Sequence, residues 1–192
     1  MNWTNITSQL VDAVAEIAKG KKVLEVFAGS GELAKQLCAK GVTIHPTTVT
    51  MDTYDGYNPT LWQQVEIIDA VSACRKYKDD FDYLLAAWPI ADDTLLHCAL
   101  IFDKPIIYIG QLWHNHPQNT YRSYSGTASD AYFENVEEVR PTIFDASPNS
   151  VLSLHKIKDK LLPQFSPSLL MYEWADRNDL VRLYNEKPKL IT

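Results

Sequence analysis

The stretch KKVLEVFAGSGELAKQLCAKG, residues 21–41, constrains this chain most. Val23 to Phe27 is an apolar run with β-branched and aromatic members, broken only by Glu25, and it predicts a short buried strand. Ala28-Gly29-Ser30-Gly31 is a tight turn. From Glu32 to Lys40, Leu33 and Leu37 share a helical face with the small Ala34 and Cys38, and Gly41 follows as a C-cap. Strand, glycine turn and helix N-terminus together let a ligand lie against the backbone. The glycines bring no Cβ, and the first helical N–H groups have no partner within the helix.

Two ligand classes use such a turn. A dinucleotide site asks for G-x-G-x-x-G/A, and Gly29, Gly31 and Ala34 meet that spacing. Glu25 argues against it, because an acid in the entering strand would stand beside a diphosphate. The same acid suits a ligand that carries positive charge. In this form the stretch resembles motif I of class I S-adenosylmethionine-dependent methyltransferases, E/D-x-G/F-x-G-x-G. Here it reads Glu25-Val26-Phe27-Ala28-Gly29-Ser30-Gly31, with Phe27 where glycine is commoner. The resemblance implies S-adenosyl-L-methionine as cofactor, with Glu25, Phe27, Ala28, Gly29 and Gly31 lining its site. Glu25 is expected near the cofactor's ammonium, and Gly29 and Gly31 are expected to leave no side-chain room beside the ligand.

The remaining chain fits one domain over residues 1–192. Hydrophobic residues make up 46% and charged residues 22%, so the chain can bury a core and is not of disordered composition. A net charge of −6 disfavours a broad nucleic-acid surface, which leaves a small molecule as the expected methyl acceptor. No run approaches the length of a membrane-spanning helix, and no secretory pattern opens the sequence. Cys38, Cys74 and Cys98 form no C-x-x-C pair, which suggests neither a disulfide framework nor a cysteine zinc site. A reduced, cytoplasmic setting is expected.

Taken in order, residues 5–18 predict an amphipathic helix on Ile6, Leu10, Val14 and Ile17. Val42 to Thr50 predicts a second strand whose regular part is confined to one side of Pro46. Asn58-Pro59 reads as a helix start. Leu61, Val65, Ile68 and Val71 fit one face of a long helix. The alternative, preferred here, is a third strand at 65–68 with a turn at Asp69-Ala70. Tyr83 to Ala87 predicts a central fourth strand, Asp92 to Phe102 a helix, and Ile106 to Gly110 a fifth strand. Strands alternating with helices imply right-handed parallel crossovers. The expected fold is α/β, a Rossmann-like doubly wound sheet, mostly parallel, with an antiparallel edge strand placed at Leu169–Trp174. Helices are expected at 130–139 and 150–162.

The methyltransferase resemblance assigns further residues. An acid after the second strand would accept from both ribose hydroxyls: Asp52, with Asp55 as the second choice. An acid after the third strand, Asp69, followed by Ala70, would receive the adenine amino group. Ala87-Trp88-Pro89-Ile90 occupies the position of motif IV, with Ala87 and Trp88 against the cofactor or acceptor. Amino-methylating nucleic-acid enzymes carry D/N/S-P-P-Y/F/W there. The polar first residue is missing here, as is a Pro-Cys nucleophile pair.

Residues 111–126 form a polar-aromatic loop after the fifth strand, the start of an expected acceptor-side lid at about 111–165. His114 or His116 in it could serve as general base. A metal reading would join them to Asp92, Asp93 or His97, but the spacing matches no known ligand set and no metal is expected. Three functions follow from these residues. The first is methyl transfer from S-adenosylmethionine. The second is a methyltransferase-like binding or regulatory module without catalysis, suggested by AWPI. The third, a nicotinamide-dependent oxidoreductase, rests on glycine spacing alone.

Overall fold

Alternation along the strands decides the layers. In β4 (Tyr83–Ala87) and β5 (Ile106–Gly110), Leu84, Ala86, Ile106 and Tyr108 pack into one apolar cluster. Leu85, Ile107 and Ile109 pack into another, on the opposite side. A parallel strand covered on both faces reads as a continuous apolar run, as these two do. The computed structural model describes residues 6–49, 62–90, 92–110, 128–147 and 150–159.

Before β4 come α1 (Ser8–Ile17), β1 (Lys22–Val26), α2 (Glu32–Ala39), β2 (Thr43–Thr48), β3 (Glu66–Ile67) and α3 (Ala70–Tyr77). After it come α4 (Thr94–Phe102), β5, α5 (Asp130–Asn135), β6 (Val136–Ser147) and β7 (Ser150–Ile157). The seven strands form one sheet in the order β3-β2-β1-β4-β5-β7-β6. Strands β1 to β5 are parallel to one another, and β7 runs antiparallel to both β5 and β6. Helices α1 and α2 cover one face through Leu10, Val11, Val14, Leu33 and Leu37. Helices α3, α4 and α5 cover the other through Val71, Cys74, Leu95, Leu96 and Tyr132. This is the expected Rossmann-like doubly wound sheet, with its antiparallel strand set one position in from the edge.

Local chemistry explains the helix boundaries. The Thr7 hydroxyl accepts from the Leu10 N–H at 3.2 Å and opens α1. Ser129 does the same for Tyr132 at the start of α5. All nine residues of α4 are buried, in keeping with its apolar sequence TLLHCALIF. Among the described residues no helix is long and apolar enough to cross a membrane.

Three expectations are corrected. The helix expected over 130–139 stops at Asn135, and Val136 enters β6 opposite Ile157 of β7. The helix expected over 150–162 is β7. Val151, Leu154 and Ile157 do recur at helical spacing, but Leu152, Ser153 and His155 between them are buried as well. A strand held between β5 and β6 is covered on both faces, so its pattern loses the alternation that marks a strand. Strand β2, thirdly, runs straight through Pro46. Thr47 O accepts from Ala28, next to β1, and Thr48 O accepts from Ile68, next to β3, so the Pro46 nitrogen points to the β3 side. Pairing with β3 begins only at Thr47, so the missing N–H of Pro46 costs no ladder bond. The strand expected at Leu169–Trp174 and the helix start at Asn58-Pro59 lie outside the described residues.

Candidate functional site

The strand order turns back between β1 and β4, and an open α/β sheet leaves a crevice there, at the carboxyl ends of its strands. The glycine turn after β1 forms one wall. It is tied down by backbone bonds: Ala28 N–H to Thr47 O at 3.0 Å and Gly31 N–H to Ala28 O at 2.9 Å. The Thr47 hydroxyl also donates to Glu25 O at 2.9 Å, which locks β2 to β1 beneath the turn. Gly31 is the N-cap of α2 and offers no side-chain cap, so the first amides of that helix remain available to a ligand.

The two glycines differ. A Cβ on Gly29 would meet nothing within 4 Å, whereas one on Gly31 would lie 2.4 Å from Val65 Cγ2 and 3.3 Å from Trp62 Cβ. Gly31 makes room for the chain's own residues 62–65, which are joined to the turn by a bond from Trp62 N–H to Ser30 O at 2.9 Å. Of the two, Gly29 faces open space.

Glu25 sits two residues before Phe27 in β1 and is 1% exposed. Val23 belongs to the cluster under α1 and α2, and the pleat puts Glu25 on that same face. Its Oε2 has no hydrogen-bond partner, and burial pushes the carboxyl up to about 8. Phe27 follows with a φ of +62°, a left-handed backbone that glycine adopts far more readily.

At the neighbouring strand end, Ala87 is 9% exposed and closes β4. The register sets Val26 beside Ala86, so Phe27 and Trp88 stand near each other along the crevice. Trp88 has a φ of +50° and donates its N–H to Ile109 O at 2.6 Å. Its ring packs with the α1–α2 cluster, whereas Phe27 packs with the opposite one. Across β2, the preferred strand reading of 65–68 is borne out as β3. Asp69 directly follows Ile68 and caps α3, its Oδ1 accepting from Ser72 N–H at 2.8 Å. That bond accounts for an acid at this position without any ligand, and it leaves the second carboxylate oxygen available to one. Ala70 is buried as the first residue of α3.

Glu25, Phe27, Ala28, Gly29, Gly31, Asp69, Ala70, Ala87 and Trp88 thus share one edge of the sheet. Asp52, Asp55, His114 and His116 lie outside the described residues, as does the loop 111–126. Residues 130–147 and 150–157 of the expected acceptor-side region form α5 and the β6–β7 pair. Among the described residues no group of three or more His, Cys, Asp and Glu could hold a metal ion.

Two polar groups are buried away from the glycine turn, and no motif marks their burial. His97, in the first turns of α4, is 2% exposed with an unpartnered Nε2. Burial lowers its pKa to about 4, with Asp93 and Asp92 opposing and Arg75 adding to the shift. His155 is held by the Tyr132 hydroxyl at 2.9 Å and by Ser153 Oγ at 2.8 Å, and it stacks on Tyr108 at 5.1 Å. It pairs with Ile106 at the start of β5, so this cluster lies at the end of the sheet away from the crevice. A third group holds the β3 edge. Burial disfavours the charge on Glu66, but bonds from Lys76, Tyr77 and His45 outweigh it and hold the carboxyl near 2.

No protein-family model matches the sequence, and no curated protein matches it. Solved structures share its architecture. The CcbJ methyltransferase from Streptomyces caelestis aligns with a TM-score of 0.54 at 13% identity, covering 77% of this chain and 93% of that one. Sp1610 from Streptococcus pneumoniae, solved in complex with S-adenosyl-L-methionine, aligns at 0.48 with 13% identity, over 95% of this chain and 88% of that one. TehB from Haemophilus influenzae aligns at 0.43 with 13% identity, over 81% and 64%. The first of these likenesses establishes the fold: a Rossmann-like sheet of the class I methyltransferase type.

Proposed function

We propose that this chain binds S-adenosyl-L-methionine and transfers its methyl group to a small-molecule acceptor. The observation that carries the reading is Glu25, a buried acid with an unpartnered oxygen in the strand that enters an open glycine turn. A diphosphate there would bring Glu25 no cation to pair with. An amino-acid zwitterion would give its ammonium to Glu25 and its carboxylate to the uncapped amides of α2. Two strand spacings, about 10 Å, separate β1 from β3, a span suited to an amino acid joined to a nucleoside. Asp69 would then take the adenine amino group, with Ala70 beneath the ring, and Asp52 the ribose. Ala87 and Trp88 would wall the site where the methyl leaves. The fold shared with the CcbJ methyltransferase supports the same reading.

Methyl transfer needs no covalent nucleophile on the enzyme. It needs the acceptor lone pair in line with the methyl–sulfur bond and water kept away. Trp88, packed against the α1–α2 cluster, is suited to excluding water. His114 or His116 would take a proton from the acceptor. The chain's net charge of −6 favours a small acceptor over nucleic acid, and a cytoplasmic setting is proposed with it.

A second reading has its own observation. Ala87-Trp88-Pro89-Ile90 offers no carboxylate, amide or hydroxyl side chain to hold an acceptor, which fits a binding or regulatory module that retains the cofactor. Calorimetric titration with S-adenosylmethionine, S-adenosylhomocysteine and NAD separates the classes. Binding of the first two is expected, and binding of NAD alone would overturn both readings.

A further inference from the structure

Glu25 is paired in the sheet with Pro46 of β2 and Leu85 of β4, and neither side chain can donate a hydrogen bond. The face above it is covered by Leu10, Val11, Val14, Leu33 and Leu37 of α1 and α2. The charged groups on those helices, Asp12, Glu16, Glu32 and Lys35, are exposed, and Lys40 is exposed in an ion pair with Asp12 at 2.6 Å. Tyr83 of β4 is half-buried on the same face, whereas His45 of β2 turns to the other face, against Tyr77. Burial is the only cause that moves the Glu25 carboxyl, and it moves it upward. A buried carboxylate with no donor and no cation costs far more than a buried carboxylic acid, so the acid form prevails at neutral pH.

We propose that Glu25 is protonated in the empty protein and gives its proton to solvent when the ammonium of the cofactor's amino-acid end reaches it. Ligand binding and deprotonation are then one event. A neutral acid and a cationic amine become an ion pair, and one proton passes to the buffer. The proposal rests on the cofactor reading above and adds to it a dependence on pH. Below neutrality the protein resists loading because Glu25 must first lose its proton.

The test is calorimetric titration of the full chain with S-adenosylhomocysteine at pH 6.5, in two buffers of different ionisation enthalpy. This ligand keeps the ammonium and drops the sulfonium, so it isolates the group in question. Release of about one proton per ligand is expected, with Kd tightening about tenfold from pH 6 to pH 7 and levelling near pH 8. In Glu25→Gln the release should vanish and the pH dependence flatten. If that variant does not fold, the proton count of the parent protein decides alone. Binding without proton release overturns the proposal and leaves the cofactor reading standing. Release that persists in a folded Glu25→Gln also overturns it. No binding at any pH overturns both.

Discussion

Phe27 and Trp88, at the ends of adjacent parallel strands, both hold their backbone in the left-handed region, at φ +62° and +50°. Bulky residues are rare there because the Cβ crowds the following carbonyl, a cost of about 1–2 kcal/mol each. Such strain persists only where surrounding structure over-determines it, and it gathers at ligand sites. Both chain turns lead from the sheet into the crevice.

The strain has a measurable sign. At an ordinary strand or helix position glycine is less stable than alanine. At position 27 the order should invert: Phe27→Gly should be more stable than Phe27→Ala by about 1 kcal/mol. Both lose the ring's packing against the α3–α5 side, so their difference isolates the backbone. Urea unfolding of the two variants measures it. Equal midpoints would show that the left-handed turn costs nothing.

The buried titratable groups set a pH optimum for the empty protein. His97 and His155 fall from 6.5 to about 4 on burial. Between those values the unfolded chain binds more protons, so both groups make stability rise with pH. Glu25 moves the other way, from 4.5 to about 8, so the folded chain holds the extra proton and stability falls as pH rises through that window. Below pH 6.5 two histidines outweigh one glutamate, and above it Glu25 acts alone. Urea midpoints should therefore peak near pH 6.5 and decline toward pH 8, by at most about 1.4 kcal/mol per pH unit. Glu25→Gln should flatten the alkaline limb and steepen the acid limb, where Glu25 opposes the two histidines.

Much of this was readable because it is local. Strand β1, the glycine turn and α2 are contiguous, and β4 and β5 are apolar runs whose length and punctuation mark buried strands. Residues 150–157 misled because burial on both faces erases the period of two, leaving Val151, Leu154 and Ile157 to imitate a helix. Pro46 misled because its cost depends on where β3 starts, which is a property of the sheet. The packing of Val65 on Gly31 joins residues 34 apart in sequence, and no motif announces such a contact. His155 was hidden for the same reason, since its partners Tyr132 and Tyr108 arrive from other elements.

That contact gives the glycines separate tests. Gly31→Ala puts a Cβ 2.4 Å from Val65 Cγ2 at a φ of +79°, so it should destabilise the fold by about 2 kcal/mol or more through clash and strain together. Adding Val65→Ala removes the clashing methyl, and the double variant should lose less than the sum of the single losses. Gly29→Ala, at φ +55° with open space around it, should cost only the strain, about 1–2 kcal/mol, while weakening S-adenosylhomocysteine binding. Chemical denaturation together with calorimetry distinguishes these effects. A Gly31→Ala protein as stable as the parent would mean that the segment 62–65 yields easily.

Asp69 carries two candidate duties, and a pair of substitutions separates them. One carboxylate oxygen caps α3 by accepting from Ser72 N–H at 2.8 Å. Removing the cap with Asp69→Ala should cost about 1 kcal/mol of stability. Asp69→Asn keeps the cap, because asparagine serves as N-cap nearly as well as aspartate. If the second oxygen receives the adenine amino group, the amide in Asp69→Asn sets an N–H donor against another donor. S-Adenosylhomocysteine should then bind more weakly by about 1–3 kcal/mol, although the protein unfolds at nearly the parent's urea midpoint. Asp69→Ala should lose both stability and affinity. An Asp69→Asn protein that binds as tightly as the parent would reduce Asp69 to a helix cap and move the search for the adenine contact elsewhere along the edge formed by β2 and β3.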